Sequence, residues 1–97
     1  MAAISYIRSH FAEPVTLDAL AQHVGLSKYH LSRRFRAYTG QTVIQVLNLT
    51  RCTRAEQLIR EGSSISAAAT ACGFENLSYF SRTYRKLMGR LPSQVER

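Results

Sequence analysis

Ninety-seven residues, 45% of them hydrophobic, are enough for one small globular unit and too apolar for a disordered tail, while no apolar run is long enough to cross a bilayer. Thirteen Lys and Arg against six Asp and Glu leave a net charge of +7, much of it in Arg33 to Arg36, Arg51 to Arg54 and Arg82 to Arg90. Arginine clustered this way points to a polyanionic partner, and Met1-Ala2-Ala3-Ile4 lacks the basic-then-apolar form of a secretory signal, so a cytoplasmic protein is expected.

Ile4, Ile7 and Phe11 keep helical spacing, and Pro14 forces that first helix to stop before it. Thr16 caps a second helix with Asp18 in its first turn, a buried stripe of Leu17, Leu20, Ala21 and Val24, and Gly25 at its end. Ser27 caps a third, running to about Tyr38 before Gly40. Thr42 and Gln45 form a capping box for a fourth helix of about 20 residues, apolar at Val43, Val46, Leu47, Ala55, Leu58 and Ile59, which spans about 30 Å. Ser63-Ser64 starts an alanine-rich fifth helix, Asn76 caps a sixth that reaches about Met88, and Pro92 opens a short seventh over Ser93 to Glu96. No strand pattern emerges. The expected class is all-α, with residues 1–41 and 62–97 as two helix-turn-helix subdomains and 42–61 as a linker helix between them.

Two of these helices are the same helix twice. Leu31-Ser32-Arg33-Arg34-Phe35-Arg36 returns 49 positions on as Phe80-Ser81-Arg82-Thr83-Tyr84-Arg85, and Gly40 returns as Gly89. Upstream, Leu20 to Leu26 matches Ala68 to Phe74 at an offset of 48, which places one inserted residue between Gly73 and Phe80. A small-residue helix, a glycine turn and a capped second helix is the sequence form of a helix-turn-helix. On a helical wheel Leu31, Phe35 and Tyr38 share one face, as do Phe80, Tyr84 and Leu87 in the second copy. Tyr29, Arg33 and Arg36 lie opposite the first set, and Ser78, Arg82 and Arg85 opposite the second. A fold needs only the buried pattern to repeat, so the repeated outward face indicates a shared ligand.

Guanidinium forks fit G O6 and N7 in a major groove, which makes Arg33 and Arg82 the expected base readers, flanked by Tyr29, Ser32, Ser78 and Ser81. Lys28, Arg36, Arg85 and Lys86, nearer the margins, suit phosphates, and Ser27 and Asn76 join them at the helix starts. A linker of about 30 Å roughly matches the 34 Å turn of B-DNA, so one monomer can engage two grooves. No catalytic residues are expected. His10, His23 and His30 fall on three different helices, and there is no nucleophile–base constellation or phosphate-cradling glycine loop. Cys52 and Cys72 show no metal-ligand spacing and read as wholly or partly buried thiols, so neither a metal nor a cofactor is expected. The rival reading is a basic module that binds a protein groove or an anionic membrane surface, which requires neither paired arginine faces nor a one-turn linker.

Gly73-Phe74-Glu75-Asn76-Leu77-Ser78-Tyr79-Phe80-Ser81-Arg82, followed by Tyr84-Arg85-Lys86, Gly89 and Pro92-Ser93, resembles the signature of the AraC/XylS family of bacterial transcription regulators, and Arg51, Ala55, Leu58 and Ile59 resemble its linker-helix pattern. The resemblance covers nearly the whole chain. It implies seven helices, two recognition helices in adjacent major grooves, and base contacts at Tyr29, Ser32, Arg33, Leu77, Ser78, Ser81 and Arg82. It also implies promoter DNA and RNA polymerase as partners and a nucleoid-associated location. An effector or dimerisation domain has no room here, so the chain is expected to be either a stand-alone member or, the reading favoured because Met1 abuts the first helix, the C-terminal domain of a longer regulator. Val46, Ala68, Leu91 and Val95 depart from the family's usual residues, which suggests looser packing of the second subdomain and the C-terminal end, and Glu96 stands where the family tends to have arginine, which weighs against a phosphate or structural contact there.

Overall fold

In the computed structural model, which describes residues 1–97, the chain forms α1 (Ala2–His10), α2 (Leu17–Val24), α3 (Lys28–Thr39), α4 (Val43–Arg60), α5 (Ile65–Ala71) and α6 (Leu77–Met88). The start signals act as the sequence indicates. Thr16, Ser27, Ser64 and Asn76 each accept a hydrogen bond from the backbone N–H three residues on, and Thr42 and Gln45 make both halves of their capping box. The expected seventh helix is instead a single 3-10 turn, Pro92–Gln94. Val95 leaves it in an extended conformation because its side chain turns into the core, where it is 8% exposed. Leu91 lacks a capping hydroxyl, and the Gln94 carboxamide oxygen accepts its N–H instead at 2.8 Å.

Two hydrophobic cores share the helices. Ile7, Leu20, Leu31, Phe35, Val43 and Leu47 are the larger members of the first; Cys52, Ile59, Phe74, Phe80 and Tyr84 dominate the second, and Phe11 packs against both. Helix α4 serves each core from a different face. At about 100° per residue Val43 and Leu47 point one way, whereas Cys52, Ala55 and Ile59 point roughly 120° round from them. A single apolar stripe along this helix was the sequence expectation. Its division in two is why Cys52 is buried completely and why Val46 and Leu58 are only half-buried. Asn48, the one polar or charged residue among the buried ones, lies near the change of face and donates to Tyr79 Oη at 3.1 Å.

Tyr38 departs from expectation. It shares the wheel direction of Leu31 but is 70% exposed, because the first core ends at Phe35 and Val43 and the last turn of α3 projects beyond it. Both thiols are buried; burial, with the Cys72 thiol beside it, pushes Cys52 up to about 12, and burial raises Cys72 as well. Neither is a nucleophile at neutral pH.

The second core is tied to α4 by Glu56, whose side chain is only 16% exposed. Its carboxylate accepts from Arg60 Nη2 at 2.8 Å, Tyr84 Oη at 2.9 Å and Arg90 Nη2 at 3.0 Å. The Arg60 hydrogen bonds hold the Glu56 carboxyl below its usual range against the opposing effect of burial, with Tyr84 and Arg90 adding to the lowering. A depressed carboxyl contributes stability that is complete above its unfolded value, about 4.3, and is lost as pH falls through the lower folded value. The gap in Tm between the parent and Glu56→Gln should therefore be widest near neutrality and shrink as pH drops below about 4. A gap independent of pH would show that the carboxylate's charge does not matter there.

Phe35 and Tyr84 are completely buried, one in each core. Phe35→Ala and Tyr84→Ala should each cost about 3 to 5 kcal/mol in denaturant unfolding, a large share of a small domain's stability. Parent-like melts would place the rings outside the cores.

Candidate nucleic-acid interface

Each copy of the repeat folds into the same helix, turn and helix. Gly25 ends α2 at φ 74°, and the Leu26 N–H returns to Ala21 O at 3.0 Å. In the second copy Gly73 has φ 92°, and the Phe74 N–H returns to Ala69 O at 3.0 Å. These closures are 48 residues apart, whereas the caps that follow, Ser27 and Asn76, are 49 apart, so Glu75 is the inserted residue. Beyond the caps the copies correspond: α3 and α6 each have 12 residues and bury Leu31 and Phe35 or Phe80 and Tyr84.

The residues expected to meet a ligand come together on two surfaces. On α3, Ser27, Lys28, Tyr29, Ser32, Arg33 and Arg36 are all exposed, with Tyr29 at 64%. On α6, Asn76, Leu77, Ser78, Arg82, Arg85 and Lys86 are exposed; Ser81 is half-buried at the edge of the second core. Leu77, which the wheel alone did not single out, is 48% exposed beside Ser78, where an apolar side chain can meet a thymine methyl.

Several of these groups already have partners. Arg33 Nη1 donates to Tyr29 Oη at 2.9 Å, and its guanidinium carbon lies 5.5 Å from the centre of that ring, so the pair is pre-arranged on the outer face of α3. Lys28 lies 3.3 Å from Asp18, but both side chains are well exposed and such a pair is worth little. Ser27 Oγ accepts the His30 N–H at 3.2 Å and pairs with His30 Nδ1 at 2.9 Å, while Asn76 Oδ1 accepts the Tyr79 N–H at 2.9 Å. Their remaining capacity decides what they can offer a phosphate. The Asn76 amide NH₂ is free to donate; the Ser27 hydroxyl is largely committed.

The structure also subtracts from the basic clusters. Arg90 and Arg60 are spent on Glu56, and Arg51 Nε and Nη2 donate to the carbonyls of Phe11 at 2.7 Å and Glu13 at 3.0 Å. Charge counting does not separate these arginines from Arg33, Arg82 and Arg85, which have no acidic partner. Tyr79 lies beside these residues and was not singled out from the sequence. It is 44% exposed on α6 with its hydroxyl bound to Asn48, and the signal in sequence was a lone asparagine inside an apolar helix face.

No helix is long and apolar enough to cross a membrane. Two glycine-turned helix pairs, each presenting an exposed basic second helix, define the helix-turn-helix class of DNA-binding domain. A family model described as a helix-turn-helix domain matches residues 20–97. The transcriptional activator RhaS of Escherichia fergusonii is 33% identical over 93 residues, 95% of this chain and 34% of that protein. The chain thus spans about a third of the length of such curated relatives. A probable AraC family transcriptional regulator from Rhodopseudomonas palustris superposes with a TM-score of 0.87 at 28% identity, over 96% of this chain and 89% of the other. The DNA-binding domain of the transcriptional factor AdpA, solved in complex with a target DNA, superposes with a TM-score of 0.88 at 26% identity, over 95% and 84%. The chain belongs to the AraC/XylS family of transcription regulators, as a DNA-binding domain of that family.

Proposed function

We propose that residues 1–41 and 62–97 act as two helix-turn-helix subdomains joined by the 42–61 linker, which bind duplex DNA with α3 and α6 in successive major grooves and so regulate transcription initiation at bacterial promoters. The observation that carries this reading is the equivalence of the outward faces of α3 and α6, Arg33 answering to Arg82 and Arg36 to Arg85. Helix α4, 18 residues long, spans about 27 Å, a little less than the 30 Å expected from sequence, and the molecule is 40 Å long. Two readers, one on each side of such a linker, can reach grooves one turn, about 34 Å, apart. RNA polymerase is the protein partner that a domain placed at a promoter would meet.

In this reading Arg33 and Arg82 fork onto guanines, with Tyr29, Ser32, Leu77, Ser78 and Ser81 contacting neighbouring base edges or methyl groups. Lys28, Arg36, Arg85, Lys86 and the Asn76 amide hold phosphates, with Ser27 contributing less because its hydroxyl is engaged. Arg33→Ala should cost about 1 to 3 kcal/mol on the preferred site and relax preference at one or two base pairs, whereas Arg36→Ala should weaken all sequences alike. Arg82 and Arg85 should show the same contrast at a half-site roughly 10 base pairs away. Site selection on the four alanine variants tests this, and identical base-preference profiles for Arg33→Ala and Arg36→Ala would refute the division of roles.

Binding should also fall with salt at a slope of log K against log salt near −5 to −7, from about six to eight phosphate contacts. A slope shallower than about −2 would be too small for two grooves, and binding to anionic vesicles with none to duplex DNA would favour the membrane-surface alternative.

A further inference from the structure

The side chain that separates the two faces of α4 is Arg51. On the wheel it lies between Val43 and Leu47 on one side and Cys52, Ala55 and Ile59 on the other, at the seam where the two halves of the molecule meet. From there its guanidinium donates to Phe11 O and Glu13 O, carbonyls of the segment that leaves α1, and lies 5.9 Å from the centre of the Phe74 ring, which leads into α6. One planar group therefore touches the first half through two carbonyls and the second through an aromatic face. Gly73 completes the junction. A Cβ there would lie 2.9 Å from Phe11 O and 3.1 Å from Ala12 O, so the turn before α6 packs directly on the backbone of the α1–α2 connection.

We propose that Arg51, with the Gly73 contact, is a positioning residue that fixes the angle between α3 and α6 and thereby the half-site spacing the protein accepts; the spacing part rests on the two-groove reading above. A rotation of about 10° on a lever half the 40 Å length moves a recognition helix by about 3.5 Å, roughly one base-pair step. Burial lowers the pKa of Arg51, yet the group stays charged and paired with carbonyls, which a lysine could satisfy only in part.

The test compares the parent with Arg51→Ala and Arg51→Lys, each checked for a cooperative melt, on duplexes whose selected half-sites are separated by the best spacing or by one base pair more or less. The parent should prefer its best spacing by roughly tenfold or more. In Arg51→Ala that preference should drop below about threefold, with affinity for a single half-site unchanged and Arg51→Lys between the two. An equal loss at every spacing would overturn the proposal, because a residue that merely stabilises the fold acts on all sites alike. Spin labels at Ala37→Cys and Ser66→Cys, both exposed and in opposite halves, give a readout that needs no DNA. Their distance distribution should broaden in Arg51→Ala and in Arg51→Lys, which serves if the alanine variant does not fold. An unchanged width would refute the clamp whatever the DNA shows, whereas a broadened width in a protein that ignores duplex DNA would keep the clamp and remove the functional reading.

Discussion

A single 18-residue helix must line two hydrophobic cores at once, and most of the molecule follows from that constraint. A straight amphipathic helix buries one stripe; α4 buries Val43 and Leu47 in one direction and Cys52, Ala55 and Ile59 about a third of a turn away. The two cores are thereby set at an angle to each other, and so are the helices they support. The polar residues at the change of face, Asn48 and Arg51, cannot be left unpaired there, and each is satisfied by the opposite side of the seam: Asn48 by Tyr79 of α6, Arg51 by the carbonyls that follow α1. The hydrogen bonds that relieve the desolvation cost are the same ones that lock the angle.

A second consequence concerns charge. Of the basic residues that make the chain a polycation, three that lie on or against α4 are consumed by the fold, Arg51 by backbone carbonyls and Arg60 and Arg90 by Glu56, while Arg54 on the same helix stays exposed. Those on the outer faces of α3 and α6 have either a weak exposed partner or none, apart from Arg33, which rests on Tyr29. That resting place is useful to a base reader. A long side chain already extended along a helix face loses less rotamer freedom on meeting a guanine than one free in solvent.

Local signals carried most of the secondary structure into the sequence. Every helix start has a capping side chain except α1, and Gly25, Gly40 and Gly89 stop helices where the repeat places them. The two basic faces were equally legible, since they depend only on direction around a helix. Depth was not legible. Tyr38 and Leu31 share a direction, and only the extent of the neighbouring helices makes one exposed and the other buried. The closing helix failed for a related reason: Pro92 favours a helical start, but burying Val95 required an extended backbone after one turn. The i,i+4 pair of Glu56 with Arg60 follows a spacing rule, but Arg51 and Glu56 also depend on partners 28 to 40 residues away, which none reveals.

The two copies of the repeat differ most where one must touch the other. Gly25 and Gly73 occupy equivalent positions and both adopt positive φ, but space around Gly25 is open whereas Gly73 sits against the carbonyls of Phe11 and Ala12. The first glycine answers a conformational need; the second answers that need and a close approach. One residue on, Leu26 is half-buried while Phe74 is 4% exposed beneath Arg51, and the extra residue, Glu75, follows at once. The second turn has thus been remodelled to carry the junction between halves, and the helix behind it starts again in register at Asn76. Because the change is confined to the turn, α6 keeps the two large buried side chains and the outward arginines of α3, and the molecule has two matching basic faces on supports that are no longer alike.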